Sequence, residues 1–212
     1  MLVSPFILNL LKKAGRYMLY STHLFFSKIF YENMLYANCV KIKKINFKFG
    51  NIKPDLMLNF KDIPHNYCSS SRYIISEIES LIEGTLRIED LQSKDFAVRL
   101  GIIDHYISDF FCMPHNRNLV KKSLISHLVY EKRIDSICKK INICMLKKFL
   151  YDKELEIGPE NSVSEFFHLR YNNYRNEAFS VTNDILYAIQ TCTIVNNYII
   201  KSCIKKISLA AA

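Results

Sequence analysis

The stretch from Arg99 to Glu131 reads RLGIIDHYISDFFCMPHNRNLVKKSLISHLVYE and holds three of the six histidines of this 212-residue chain. His105 and Asp109 are four residues apart, and so are His127 and Glu131. On an α-helix, residues with this spacing lie on one face, one turn apart. The stretch therefore predicts two helices that each present an imidazole beside a carboxylate. Nitrogen and oxygen ligands in this arrangement suit zinc, which binds them at about 2.0–2.2 Å.

A break between the two helices is predicted at Met113–Pro114. The residue before a proline is biased away from the α region, and proline has no N–H with which to continue the helix. His115 follows directly, on a backbone that is free to direct it back toward the site. Further candidate ligands lie upstream, with His23 in the first turn of a predicted helix and Asp55 and His65 in a long loop.

Five histidines and three acids can thus converge in one cleft. A catalytic zinc usually has three protein ligands plus a water, so eight ligands are more than one ion needs. The surplus predicts a cluster of two or three zinc ions. The candidate metal ligands are His23, Asp55, His65, His105, Asp109, His115, His127 and Glu131.

The whole chain, residues 1–212, is predicted to be a single all-α domain of several helices. Half of its residues are apolar, and glycine and proline number five each, which favours helices over a turn-rich β architecture. The predicted parts are an N-terminal helical extension over 1–17, a metal-site core over 20–135 and C-terminal helices over 160–207.

Capping residues and breaks predict where the helices lie. Residues 40–66 are predicted to be an irregular connection, because Gly50, Pro54 and Pro64 mark turns. The predicted helices begin at Ser21 or Thr22, at Ser69–Ser71, at Ser93, at Asn118 (continuing to Phe149) and at Ser162 or Ser164 (interrupted near Ser180–Thr182).

The net charge and the cysteine content indicate which binding partners and which cellular compartment suit the protein. The net charge of +9 permits binding to phosphate groups of lipids or nucleic acids. The lysines occur in small groups, which favours solvated helix faces, and zinc-finger and RNA-recognition signatures are absent. The seven cysteines are odd in number and form no CxxC pair, so they are read as reduced thiols of a cytoplasmic protein. Cys112 is expected to be a small core residue.

The N-terminal apolar run is shorter than the roughly 20 residues that a membrane-spanning helix needs. Lys12, Lys13 and Arg16 follow the apolar part, whereas a signal peptide has its basic residues first. We therefore predict no signal peptide and no transmembrane segment. A short amphipathic helix from Ser4–Pro5 is expected to pack on the domain, with peripheral contact to a membrane surface as the alternative.

The order of these motifs resembles the zinc-dependent phospholipase C family, which shares its fold and site with the single-strand-specific zinc nucleases. The family pattern has a His near the chain start, a metal Asp in a long loop, a His shortly after it, then LG…HYxxDxxxPxH and HxxYE. The resemblance covers about residues 20–135. The corresponding segments are Thr22-His23-Leu24, Pro54-Asp55, Pro64-His65, Leu100-Gly101, HYISDFFCMPH from His105 to His115 and HLVYE from His127 to Glu131.

The resemblance implies three zinc sites. The residues that would hold them are Asp55, His65, His105 and Asp109 for the first ion, His115, His127 and Glu131 for the second, and His23 with a bridging Asp109 for the third. In exported members of the family an N-terminal Trp completes the third site, and this sequence contains no Trp.

The reaction that the resemblance implies is phosphodiester hydrolysis. The zinc cluster would bind the phosphate oxygens and lower the pKa of a water toward about 7, so that this water attacks phosphorus. Asp55 is the predicted catalytic residue, because it could orient or deprotonate that water as well as bind metal. Asp104 and Tyr106 are candidates for the groups that fix the imidazole tautomers.

The predicted substrate is a phospholipid or a similar phosphodiester. Choline-preferring family members have aromatic residues at two positions that Leu56 and Asp62 occupy here. A quaternary ammonium needs aromatic faces, so no preference for phosphatidylcholine is predicted. Two alternatives stand beside this reading: a zinc nuclease of the same fold, consistent with the charge of +9, and a non-catalytic zinc-stabilised helical module. No obligate protein partner is evident.

Overall fold

A computed structural model of the chain describes residues 20–34, 39–116, 124–140 and 162–210. These residues form helices and loops and contain no strand, so the predicted all-α fold is confirmed. The predicted extension over 1–17 lies outside the described residues, and the single-domain organisation stays a prediction. The helices are α1 (Tyr20–Asn33), α2 (Lys44–Gly50), α3 (Lys53–Leu56), α4 (Tyr67–Gly84), α5 (Ile88–Leu91), α6 (Lys94–Phe110), α7 (Leu124–Cys138), α8 (Val163–Asn176) and α9 (Val181–Ala210), with 3-10 turns at Leu58–Phe60 and Met113–His115.

Helix α6 is the central helix of the described residues. It begins after Ser93, as predicted, and the Ser93 side chain accepts a hydrogen bond from the Phe96 N–H. Every residue from Leu100 to Phe110 is buried, because α2, α4 and α9 pack around the helix. A polar side chain on such a helix can only face the interior. His105 and Asp109 therefore lie in the core and need polar or metal partners there.

The crossing of α2 and α6 brings two backbones into contact at a pair of glycines. A Cβ atom on Gly101 would lie 2.2 Å from the Phe47 carbonyl oxygen, and one on Gly50 would lie 2.2 Å from the Val98 carbonyl oxygen. Only glycine allows this approach. The close crossing places the carbonyl of Asn51, just after α2, beside the side chains of α6.

The prediction of an irregular connection over residues 40–66 is wrong. The segment contains α2, α3 and a 3-10 turn, and Gly50, read from the sequence as a turn, is the last residue of α2. Helices of seven and four residues are too short to be stable alone. They form here because α6 packs against them, and this contact leaves no local signal in the sequence.

Two predicted helix starts are also corrected. Ser21 and Thr22 lie inside α1, and Ser21 donates a hydrogen bond of 2.8 Å to Asp135 of α7 instead of capping. Helix α4 begins earlier than predicted because Asn66 is its cap, with its side-chain oxygen accepting from the Ser69 N–H at 3.1 Å. The stronger cap decides where α4 begins, while the residues before α1 lie outside the described part of the chain.

In the C-terminal half, two predicted helix boundaries are confirmed and one is corrected. Helix α7 ends at Cys138, short of the predicted Phe149, and residues 141–161 lie outside the described part. Ser162 caps α8 in a capping box with Glu165, and the chain is interrupted between α8 and α9, both as predicted. Helix α9 is the longest at 30 residues, yet none of the described helices is apolar enough at sufficient length to cross a membrane.

Candidate metal centre

All eight predicted ligands converge in one cluster within the described residues. Their side chains are buried, apart from partial exposure of His127 at 17%. The elements that supply them are α1 (His23), α3 (Asp55), the loop before α4 (His65), α6 (His105 and Asp109), the second 3-10 turn (His115) and α7 (His127 and Glu131).

The ligand atoms form three groups whose members lie within 4.8 Å of one another. We call Asp55, His65 and His105 the first group and His115, His127 and Glu131 the second group. The remaining group contains His23, His105 and Asp109, and therefore shares His105 with the first. Each group could hold a metal ion.

Separations between ligand atoms match the size of zinc. Two ligands of a tetrahedral zinc lie about 3.4 Å apart when each is about 2.1 Å from the ion. His105 Nε2 lies 3.5 Å from Asp55 Oδ1 and 3.4 Å from Asp109 Oδ2. His115 Nε2 lies 3.6 Å from Glu131 Oε1. Shorter pairs, such as His127 Nε2 and Glu131 Oε1 at 2.8 Å, are direct hydrogen bonds.

Asp109 lies between the groups and turns one oxygen to each side. Its Oδ2 is 2.6 Å from His65 Nδ1 and 3.4 Å from His105 Nε2. Its Oδ1 is 3.5 Å from His23 Nε2 and 3.8 Å from His115 Nε2. Burial favours the neutral acid, but His115, His23 and His105 outweigh it and hold the pKa of Asp109 well below its usual value. The geometry suits a carboxylate that bridges two ions.

Several ligand atoms are buried and have no hydrogen-bond partner in the part of the chain that the structure describes, and this tests whether a metal fits. Buried polar atoms that lack a partner are costly, so their accumulation in one place needs a cause. Metal ions bound within the groups would give these atoms partners. The atoms are His23 Nε2, both oxygens of Asp55, Asp109 Oδ1, His115 Nε2 and Glu131 Oε2.

The tautomer of His105 is fixed by the backbone of α2. Its Nδ1 lies 2.8 Å from the Asn51 carbonyl oxygen, so Nδ1 carries the hydrogen and Nε2 is left to accept a metal. Burial, the main cause, and His23 lower the pKa of His105 well below its usual value, which keeps the ring neutral. The prediction of Asp104 for this role is wrong, because Asp104 accepts from Asn196 at 2.9 Å. Tyr106 contacts the His105 ring edge to face at 5.4 Å.

Asp184 is a site residue that the sequence did not reveal. Its Oδ2 accepts the Met113 N–H and the Tyr130 hydroxyl, each at 2.9 Å, and its Oδ1 accepts the Tyr174 hydroxyl at 2.8 Å. Met113 begins the turn that carries His115, and Tyr130 precedes Glu131 on α7. The buried carboxylate of α9 therefore holds the two elements of the second group together. A remote Asp in a helix gives no pattern by which to find it.

We expect Tyr130→Phe to weaken zinc binding by about tenfold, because the Asp184 contact no longer orients the second group. Competition with a zinc chelator measures this affinity directly. Tyr187→Phe is the matched control, since the Tyr187 hydroxyl bonds Glu177 and touches no ligand. An equal loss of affinity in both variants would contradict the positioning role.

Four further residues that bear on the predictions are not candidate ligands. Cys112 is fully buried in the core, as expected. His168, the one histidine not predicted as a ligand, is exposed on α8. Leu56 and Asp62, which replace the aromatic residues of choline-preferring proteins, are both exposed. The described residues around Asp55 thus offer no aromatic side chain at these two positions.

Comparison with known families gives one match. The chain matches the family described as zinc dependent phospholipase C over residues 22–183. The matched range begins just before His23, includes all eight clustered residues and continues through α8, well beyond the motifs, which end near residue 135. No curated protein and no solved structure matches the chain. Because the family match covers most of its length and contains the whole cluster, the chain belongs to the zinc-dependent phospholipase C family.

Proposed function

We propose that this protein hydrolyses the phosphodiester bond of a phospholipid or a closely similar diester, with zinc held by the eight clustered residues. The observation that supports this proposal is the set of buried ligand atoms that have no hydrogen-bond partner among the described residues, because bound metal would supply those partners. Membership of the zinc-dependent phospholipase C family supports the same chemistry.

We propose two tightly held ions rather than three. His105 can offer only Nε2, because its Nδ1 is engaged by the Asn51 carbonyl. That atom can complete either the first group or the group with His23, and not both. The described residues therefore supply two full sets of three ligands. Asp109 would add one oxygen to each of these two sets, since Oδ2 faces His105 and Oδ1 faces His115. Among the described residues, a third ion would therefore have only His23 and a shared oxygen of Asp109.

Asp55 is proposed to take the proton of the attacking water. Its carboxylate is 6% exposed and lies in the first group, where Oδ1 faces His105 and Oδ2 faces His23. In the protein without metal, burial, the main cause, and the charge of Asp109 raise the pKa of Asp55 well above its usual value. The proposed role of Asp55 rests on its position within the first group. Bound zinc would polarise the phosphate oxygens and acidify the water.

The proposal is tested first by metal content and turnover. Protein purified without a metal-affinity tag should contain two zinc ions per chain, and chelation should abolish hydrolysis of a generic phosphodiester. Asp55→Asn should lower turnover by about a hundredfold or more. Asp62→Asn is the control, because Asp62 is an exposed acid on the same segment.

Two results would refute the proposal as a whole, and another would refute the role of Asp55 alone. A folded protein with one zinc or none and no turnover would favour the non-catalytic helical module. Equal turnover in Asp55→Asn and the parent protein would remove Asp55 from the mechanism. Rapid hydrolysis of single-stranded nucleic acid, without hydrolysis of phospholipid micelles, would identify the zinc nuclease instead.

A further inference from the structure

Exposed apolar side chains are concentrated on the segment that supplies Asp55. Among the described residues, the two most exposed large apolar side chains are Ile45 at 82% and Leu58 at 70%. Three more lie between them in sequence. We call these five residues the apolar edge: Ile45, Phe49, Leu56, Met57 and Leu58.

Backbone hydrogen bonds fix the part of the apolar edge that follows Asp55. The Met57 N–H donates to the Lys53 carbonyl at 3.0 Å, and the Phe60 N–H donates to the Met57 carbonyl at 3.3 Å. Phe60 itself is buried in the core, so it anchors the turn from beneath. Residues 56–58 follow Asp55 directly. Their outward position is therefore fixed next to the metal centre.

The same segment carries a strong positive charge. Residues 39–61 contain six lysines and one acid, Asp55, whose carboxylate belongs to the metal centre. Lys61 is exposed at the end of the turn, and Lys43 and Lys44 are exposed at the start of α2. Such a surface complements an anionic lipid layer in two ways. Its exposed aliphatic side chains match the acyl chains, and its lysines match the negative headgroups.

We propose that the apolar edge and its lysines dock the protein on an anionic phospholipid surface, with the metal centre facing the lipid. This inference rests on the proposed function, and it adds the surface by which the protein would reach a lipid substrate. Aliphatic residues would enter the boundary between headgroups and acyl chains, while lysines contact lipid phosphates. A nucleic-acid surface is disfavoured because stacking on bases needs aromatic side chains, and Phe49 is the only one in the edge.

Sedimentation with mixed phosphatidylcholine–phosphatidylserine vesicles tests the proposal. Ile45→Asp and Leu58→Asp should each lower vesicle binding by about tenfold or more, because an exposed apolar anchor becomes an acid beside an acidic surface. Leu169→Asp is the matched control, since Leu169 is 58% exposed on α8 and lies outside the edge. Added salt should also weaken binding of the parent protein.

Turnover of a water-soluble phosphodiester separates this proposal from the proposed function. The edge variants should keep parental turnover of the soluble diester while losing activity on vesicles. If the parent protein does not hydrolyse the soluble diester, the proposed function is refuted. The docking proposal is then tested by vesicle binding alone. Docking itself is overturned if the parent protein does not sediment, if Leu169→Asp loses as much binding, or if the edge variants lose single-stranded nucleic-acid binding instead.

Discussion

Asp109→Asn is expected to have the largest effect on activity, with a loss of at least one of the two proposed zinc ions and a fall in turnover of about a thousandfold or more. The reason is the position of the carboxylate. One of its oxygens faces His65 and His105, and the other faces His23 and His115. An amide cannot offer two negative oxygens, so both sides of the cluster lose charge at once.

Mass spectrometry of metal content, together with turnover, measures this outcome. Asp95→Asn is the control, because Asp95 lies in the first turn of the same helix and is exposed. It should retain two zinc ions and parental turnover. If Asp109→Asn also retains both, Asp109 is not a ligand and the proposed allocation of the cluster fails.

Gly101→Ala is expected to have the largest effect on stability, lowering the free energy of unfolding by about 3 kcal/mol or more. The added methyl group would lie 2.2 Å from the Phe47 carbonyl oxygen, and backbone atoms cannot rotate away as a side chain can. Helices α2 and α6 must separate. That movement also pulls the Asn51 carbonyl from His105, so zinc affinity should fall together with stability.

Urea denaturation of the parent and variant proteins measures the change in unfolding free energy. Gly84→Ala is the matched control, because a Cβ atom there meets nothing within 4 Å and the backbone has no positive φ. This control should be neutral or slightly stabilising. A Gly101→Ala protein as stable as the parent would show that the two helices do not depend on the close crossing.

The local parts of the cluster could be predicted because helix geometry is local. The spacing of four residues places His105 beside Asp109 and His127 beside Glu131, whatever surrounds them. The all-α fold and the break between the two helices at Met113–Pro114 follow from composition and from the stereochemistry of proline. The structure confirms the fold, while the role of each clustered residue as a ligand is a proposal.

The short helices around Asp55 could not be predicted from local pattern. Seven residues in α2 and four in α3 cannot repay the cost of helix nucleation by themselves. Packing against α6 supplies the missing free energy, and it depends on Gly50 and Gly101, which are far apart in the chain. Glycine in a sequence more often signals a turn than a contact between two helices.

By itself, the sequence determined the helical class, the order of the motifs and the candidate residues of the metal centre. Tertiary structure alone decided which atoms face one another. It gave His105 the Asn51 carbonyl as its partner, divided the oxygens of Asp109 between two sides, and placed Asp184 under the second group. Each of these contacts joins residues that are more than 40 positions apart in the chain, so it is set by how the helices and turns pack together. Spacing along the chain encodes only the neighbours within one helix.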